Sequence, residues 1–155
     1  MPVLFASKVN IISNIYQVYE EPELLHEIYA NLKERIKDDI GYYKEITYYK
    51  DDEERVKDSY FKFANVNYLD STYDYSIWGF VLKQHKIFAN SVNPKTGETS
   101  ISPIDNDEKI MFYFDFSKEV VIFYQSNRFG YKEFNEAFAN ILNNIMSDLN
   151  FQFEL

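Results

Sequence analysis

Residues able to carry out chemistry are few in this sequence. The chain has 155 residues, no Cys, two His and four Gly. The lack of Cys excludes a disulfide scaffold, a thiolate zinc site and a cysteine nucleophile. His26 and His85 have no second His at i+4 and no other metal-ligand spacing, and no Gly-rich phosphate loop or nucleophile elbow occurs. If the protein is an enzyme, carboxylates must carry its chemistry.

Two acidic runs are the candidates for such chemistry. Residues 51–54 read Asp-Asp-Glu-Glu, but adjacent charges on a loop point apart, whereas a metal site needs carboxylates that converge. Residues 107–109 fit the D-x-K half of a restriction-type nuclease signature, yet Asp105 is too close to supply the upstream acid. A carboxylate-based metal-dependent nuclease is therefore a minor alternative. We expect no catalytic residue, no metal ligand and no cofactor.

The most distinctive segment spans residues 38–75, where ten acids and five basic residues accompany eight of the fourteen tyrosines. The acids are Asp38, Asp39, Glu45, Asp51, Asp52, Glu53, Glu54, Asp58, Asp70 and Asp74, and the tyrosines are Tyr42, Tyr43, Tyr48, Tyr49, Tyr60, Tyr68, Tyr73 and Tyr75. Tyrosine is enriched at protein interfaces, and carboxylates around it can match a basic partner. The same composition also fits strand tyrosines that pack on neighbours beside acids that keep an edge soluble.

Within this segment we predict a partner-contact surface. Its residues are Tyr48, Tyr49, Asp51, Asp52, Glu53 and Glu54. The predicted function is that of a non-enzymatic acidic inhibitor or adaptor, whose partner is a protein with a basic, nucleic-acid-binding surface, such as a bacterial defence enzyme. In size, in charge and in a composition that favours a low-GC bacterium or its phage, the chain is similar to small acidic phage proteins that block such enzymes, a likeness of composition and not of motif.

A second hypothesis is an RNA- or single-stranded-DNA-handling domain of a bacterial defence system, because exposed aromatics on an antiparallel sheet can stack bases. The candidate residues are the aromatics Tyr113, Phe123, Tyr124 and Tyr131, with Lys118, Arg128 and Lys132 nearby. These aromatics also fit a core beneath the second helix, since aromatic stripes are usually buried.

Composition bounds the cellular setting. The net charge of −9 disfavours direct nucleic-acid binding, which needs clustered Lys and Arg. No apolar run reaches the roughly 18 residues of a transmembrane helix, and residues 1–10 lack the basic start of a secretory signal. Abundant Phe, Tyr, Asn, Lys and Ile favour a low-GC bacterium or its phage. We expect a cytoplasmic protein that does not bind membranes, and the sequence carries no signal for an oligomeric state.

Two helices and a run of strands must position these residues. Leu25, Ile28, Leu32 and Ile36 recur at helical spacing after Pro22, which predicts a helix over 22–39 ended by Gly41. Phe134, Phe138, Ile141, Ile145 and Leu149 predict a second helix over 131–149.

Strands are predicted over 3–12, 42–49, 60–68, 77–82, 110–116, 119–124 and 151–153, and a polar connection over 93–109. The order β-α-β-β-β-β-β-α-β indicates an α+β fold: a mainly antiparallel sheet of about six or seven strands with both helices on one face, a ferredoxin-like elaboration. The length predicts a single globular domain over 1–155, whether it stands alone or belongs to a longer protein.

Overall fold

The computed structural model describes residues 3–12, 20–68, 76–126, 128–149 and 151–155, without the side chains at 46, 55, 57, 85–92 and 100–106. Its elements are β1 (Leu4–Lys8), β2 (Asn10–Ile11), α1 (Pro22–Arg35), β3 (Gly41–Lys50), β4 (Glu53–Tyr68), β5 (Ser76–Val92), β6 (Thr99–Asp115), β7 (Val120–Tyr124), α2 (Tyr131–Ile145), a 3₁₀ turn (Ser147–Leu149) and β8 (Phe153–Glu154). Among the described residues, no helix is long and apolar enough to cross a membrane.

Six strands form one antiparallel sheet in the order β1-β7-β6-β5-β4-β3, and β2 pairs with β8 in a separate two-stranded ribbon. The α+β class, the six-stranded antiparallel sheet and the two helices are therefore confirmed. The strand order refines the ferredoxin-like part of the prediction. Strands β3 to β7 form one consecutive meander, with β1 added beside β7, rather than split β-α-β units.

The core lies between one face of the sheet and the two helices, because buried strand residues alternate with exposed ones. Phe138 of α2 packs edge-to-face on Phe112 at a ring separation of 5.4 Å and on Phe114 at 5.3 Å. Ile28 and Leu32 of α1 are buried in the same cluster, as their helical spacing predicts. Aromatic pairs of this geometry add attraction beyond the area they bury, so the many Phe residues account for much of the packing.

Helix α1 ends at Arg35, four residues before the predicted end at 39. Ile36 is already extended and fully buried, and Tyr68 donates a hydrogen bond to its carbonyl. The left-handed residue is Asp39 and not Gly41, because the Asp39 amide turns to donate to the carbonyl of Phe63 in β4. The chain leaves the helix early in order to join the sheet. Helix α2 likewise ends at Ile145, and residues 147–149 form the 3₁₀ turn.

The predicted polar connection over 93–109 is mostly strand. The turn occupies only residues 93–98, and β6 begins at Thr99. In the register, Val92 pairs with Thr99 and the ladder continues without interruption to Ser76 and Asp115. Backbone pairing maintains this strand although its sequence lacks apolar alternation, and for that reason the sequence pattern does not reveal it.

Candidate functional site

The β3–β4 hairpin continues as an arm beyond its last pairing with β5, at the end of the sheet where the β5–β6 hairpin also extends. The β4–β5 register begins at the Ser59–His85 pair, whereas the β3–β4 ladder continues for six further residue pairs, from Glu45–Asp58 to Lys50–Glu53. Six pairs span about 20 Å at the usual rise of an antiparallel strand. We call residues 45–58 the arm. Its described side chains are exposed, so this ribbon is available to a partner.

A two-residue turn closes the arm. Asp51 and Asp52 both have positive φ, at 55° and 61°, as required at the two central positions of a type I′ turn. Aspartate tolerates this conformation better than most residues do. Such a turn matches the twist of the flanking strands and fixes their register. The acidic pair therefore has a local structural role as well as a charge.

The register sorts the side chains of the arm onto two faces. Tyr42 stacks on the core residue Phe61, and Lys44 reaches α2, so these positions face the helices. The alternating positions face the other way, and we call them the outer arm face. These are Tyr43, Glu45, Thr47, Tyr49, Glu54, Val56, Asp58 and Tyr60. None of them is Lys or Arg, so this face combines three carboxylates with three tyrosines and carries no positive charge.

Tyr43 and Asp58 form a hydrogen-bonded pair on this face. The Asp58 carboxylate accepts from the Tyr43 hydroxyl, which together with partial desolvation and the charges of Asp58 and Glu45 raises the pKa of Tyr43 above its usual value. Tyr43 nonetheless remains 54% exposed. Tyr43 therefore presents an exposed ring to a partner beside the Asp58 carboxylate.

Ion pairs hold the base of the arm. Lys44 donates to Glu136 of α2 at 2.7 Å, and Lys62 donates to Asp39 at 2.9 Å. Each hydrogen bond raises the pKa of its lysine. Gly41 permits the close packing here, since a Cβ at this position would lie 2.4 Å from the carbonyl oxygen of Phe61.

All six residues of the predicted contact surface lie at the end of the arm and are exposed. The register divides them, however. Tyr49 and Glu54 pair on the outer arm face, while Tyr48 and Glu53 lie on the helix side, and the two aspartates form the turn. The prediction did not include Tyr43, Glu45 and Asp58, which extend the acidic face toward the sheet. Period-two counting from the Asp51–Asp52 turn would have found them. Of the wider segment, Asp70, Tyr73, Asp74 and Tyr75 lie outside the described residues.

The aromatics proposed for base stacking do not share one surface. Phe123 is buried and stacks on Phe134 at 3.8 Å, and Tyr131 stacks on Phe5 at the start of α2. Tyr113 and Tyr124 lie on the opposite sheet face, away from the helices. The basic residues are divided as well, since Lys118 pairs with Asp115 and Arg128 lies 3.9 Å from Glu108.

The carboxylates and histidines form no evident reaction centre in the described part of the chain. No group of three or more His, Asp or Glu side chains is placed there to hold a metal ion. Asp107 and Lys109 occupy the outer positions of β6, whereas Glu108 faces the helix side, opposite Lys83. His26 is exposed on α1, in edge-to-face contact with Tyr29. The side chains of His85 and Asp105 lie outside the described set.

No family model, no curated protein and no solved structure shows significant similarity to this chain.

Proposed function

We propose that this protein is a non-enzymatic binding protein that inhibits or recruits a partner with a basic, nucleic-acid-binding surface. The observation that carries the proposal is the outer arm face. Glu45, Glu54 and Asp58 are exposed there beside Tyr43 and Tyr49, with no cation among them. Such a surface supplies both charge and contact area to an interface.

The arm is suited to this role because it is ordered before it binds. Its two-residue turn and paired backbone fix the spacing of the carboxylates, so little conformational entropy is lost when a partner docks. Carboxylates on a preformed ribbon can compete with phosphates for the same lysines and arginines. This supports inhibition by occupation of a nucleic-acid groove, as a phage or mobile-element protein would use against a defence enzyme.

The test is capture of partners from the lysate of a low-GC bacterium, restricted to proteins that bind heparin and are therefore basic. The bait variant E45K/E54K/D58K reverses the outer arm face. The matched control E27K/E34K/E154K makes the same change in net charge at exposed positions away from the arm. Binding is measured at about 50 mM and about 300 mM salt, where surface charges are weakly and strongly screened.

We expect wild type and control to retain the same proteins at low salt, and the arm variant to lose them. The association rate of a retained protein should fall as salt rises for wild type and become nearly salt-independent for the arm variant. Equal capture by arm variant and control, or no heparin-binding protein retained by wild type, would contradict the proposal.

A further inference from the structure

The sheet face opposite the helices is apolar and carries no described element. On three adjacent strands, Trp78 pairs with Tyr113, and Tyr113 pairs with Ile122. We call this surface the open face, formed by Leu4, Trp78, Met111, Tyr113, Ile122 and Tyr124. Trp78 is 40% and Met111 47% exposed, whereas Phe112 and Phe114 on the helix side are 1–2% exposed. Apolar patches of this kind usually mark an interaction site.

The open face is concave. Its side chains line a groove of about 310 Å³ between the strands, and the lining is almost entirely carbon. The hydroxyls of Tyr113 and Tyr124 and the indole N–H of Trp78 are the polar groups that its side chains carry. A groove of this composition selects an apolar ridge rather than a charged or strongly polar ligand.

The open face and the outer arm face lie on one side of the sheet. Along β5, the residues that alternate on this side are Trp78, Phe80, Leu82 and Gln84. Gln84 pairs with Tyr60 of β4, and Tyr60 pairs with Tyr43 of β3, so the row continues onto the outer arm face. Trp78 also pairs with Asn67 of β4, nine residues beyond Asp58. At the rise of a strand this separation is about 30 Å, the length of a helix of about 20 residues.

Two lysines on this side of the sheet are paired with carboxylates of the protein itself. Lys62 pairs with Asp39 at 2.9 Å and Lys8 with Glu119 at 3.2 Å, while Lys109 lies over the ring of Phe80 at 5.0 Å. Asp107 and Lys109 are both exposed between the groove and the arm, so this stretch carries one charge of each sign and the negative charge lies on the outer arm face. An occupant must therefore be apolar at one end and basic at the other.

We propose that this side of the sheet binds an amphipathic helix of the partner protein. Its apolar stripe would lie in the groove of the open face, and its Lys and Arg residues would face the outer arm face. The inference rests on the proposed function and adds the class of partner segment. An open antiparallel face can bury a helix as the opposite face already does with α1 and α2, and helix-in-groove recognition relies on such apolar anchors.

Trp78 makes the test selective, because it is the single tryptophan of the chain. The probe is a synthetic helix of about 20 residues, the length of the surface, with Leu along one stripe and Lys elsewhere toward one end. Its first control contains the same residues in scrambled order, and its second replaces each Lys by Glu. The fluorescence emission of Trp78 and its quenching by acrylamide are recorded, and the affinity is measured by titration calorimetry. The variant L4Q/M111Q alters two exposed positions of the groove, so folding should be preserved.

We expect the striped basic helix to shift Trp78 emission to the blue and to shield it from acrylamide, and both controls to do neither. L4Q/M111Q should weaken binding about tenfold through lost apolar contact, yet keep its salt dependence. E45K/E54K/D58K should weaken binding and lose that dependence.

Failure of the inference is distinguishable from failure of the proposed function. If L4Q/M111Q retains lysate partners as wild type does while the arm variant loses them, the helix inference fails and the proposed function stands. If the arm variant also retains them, the proposed function fails. Protection of Trp78 by a single-stranded oligonucleotide instead, or by self-association seen in light scattering, would overturn the helix assignment.

Discussion

Lys83 of β5 and Glu133 of α2 form an ion pair inside the protein. The Lys83 ammonium lies 2.5 Å from Glu133 Oε1 and donates to the carbonyl of Arg128 at 3.1 Å. Lys83 is 7% exposed. The side chain of Glu133 is 37% exposed as a whole, but its Oε1 atom is buried. That atom forms an ion pair with Lys83 and has no hydrogen-bond partner of acceptable geometry. The pair ties the centre of the sheet to the first turn of α2.

Removing the lysine alone should be costly, because it leaves a carboxylate oxygen and a backbone carbonyl without their cation. We expect K83M to lower the free energy of unfolding by about 2–3 kcal/mol, and K83M/E133L to recover much of that loss, since an apolar pair of similar volume often replaces a buried ion pair well. Urea unfolding of the wild type, both single variants and the double variant measures this. A double variant no more stable than K83M would show that the pair is not the cause.

The turn of the arm offers a test of which acids matter. The variant D51N/D52G removes two charges and places the residues favoured in a type I′ turn at the two positive-φ positions. We expect it to keep partner binding and to stabilise the hairpin, because the outer arm face is unchanged. Reversing all four tip acids, D51K/D52K/E53K/E54K, should slow association and flatten its salt dependence, since Glu54 belongs to that face. Stopped-flow association measures both; loss of binding in D51N/D52G would place recognition at the turn.

The Tyr43–Asp58 hydrogen bond predicts a specific titration. Because the pKa of Tyr43 is raised in the folded protein, the interaction stabilises the fold fully at pH values below the ordinary tyrosine pKa of about 10. This stabilisation is lost as pH rises through the pKa of Tyr43 in the folded protein. D58N should bring the pKa of Tyr43 down toward about 10. NMR titration of tyrosine Cζ, assigned with Y43F, measures it. E54Q is the control and should leave the Tyr43 titration unchanged, because Glu54 does not accept its hydrogen bond.

An acid-sensitive contact joins the end of α1 to the 3₁₀ turn. Arg35 donates to both carboxylate oxygens of Asp148 and to the carbonyl of Ile145, and the first of these contacts lowers the pKa of Asp148 below 3.8. A lowered folded pKa gives stability at neutral pH that disappears as pH falls through that value. D148N should therefore be slightly less stable than wild type at pH 7, and the difference should shrink as pH falls below the ordinary aspartate pKa of about 3.9. Thermal unfolding of wild type and D148N across this pH range measures the difference. A stability difference that persists at low pH would contradict its assignment to the contact between Arg35 and Asp148.

Gly79 faces a β-bulge in β4, where the register shifts between Ala64 and Asn67. A Cβ on Gly79 would lie 3.1 Å from the carbonyl oxygen of Ala64 and 3.2 Å from that of Asn65. Because both contacts are backbone, G79A should destabilise by about 1–3 kcal/mol. G130A is the matched control, since nothing lies within 4 Å of a Cβ there, and it should cost about 0.5 kcal/mol at this N-cap. Equal effects in urea unfolding would show that the bulge can relax.

The sequence predicts the two helices well because helical spacing is a local property. Ile28 and Leu32 lie in the core as their spacing requires, and so do Phe134 and Phe138. The end of α1 is less accessible from sequence. It depends on Tyr68 and Phe63, which reach Ile36 and Asp39 from a distant strand, and no local pattern carries that information.

The amino-acid sequence alone shows that acids and tyrosines concentrate between residues 38 and 75, and its pattern of elements indicates an α+β fold. Which of these acids share a face depends on the pairing of the strands. Side chains alternate across a strand, so a register shifted by one residue would move Glu45, Glu54 and Asp58 to the helix side. The turn at Asp51–Asp52 and the pairing with β5 fix that register. The same pairing places Trp78 and Tyr113 on the side of the sheet that bears those carboxylates.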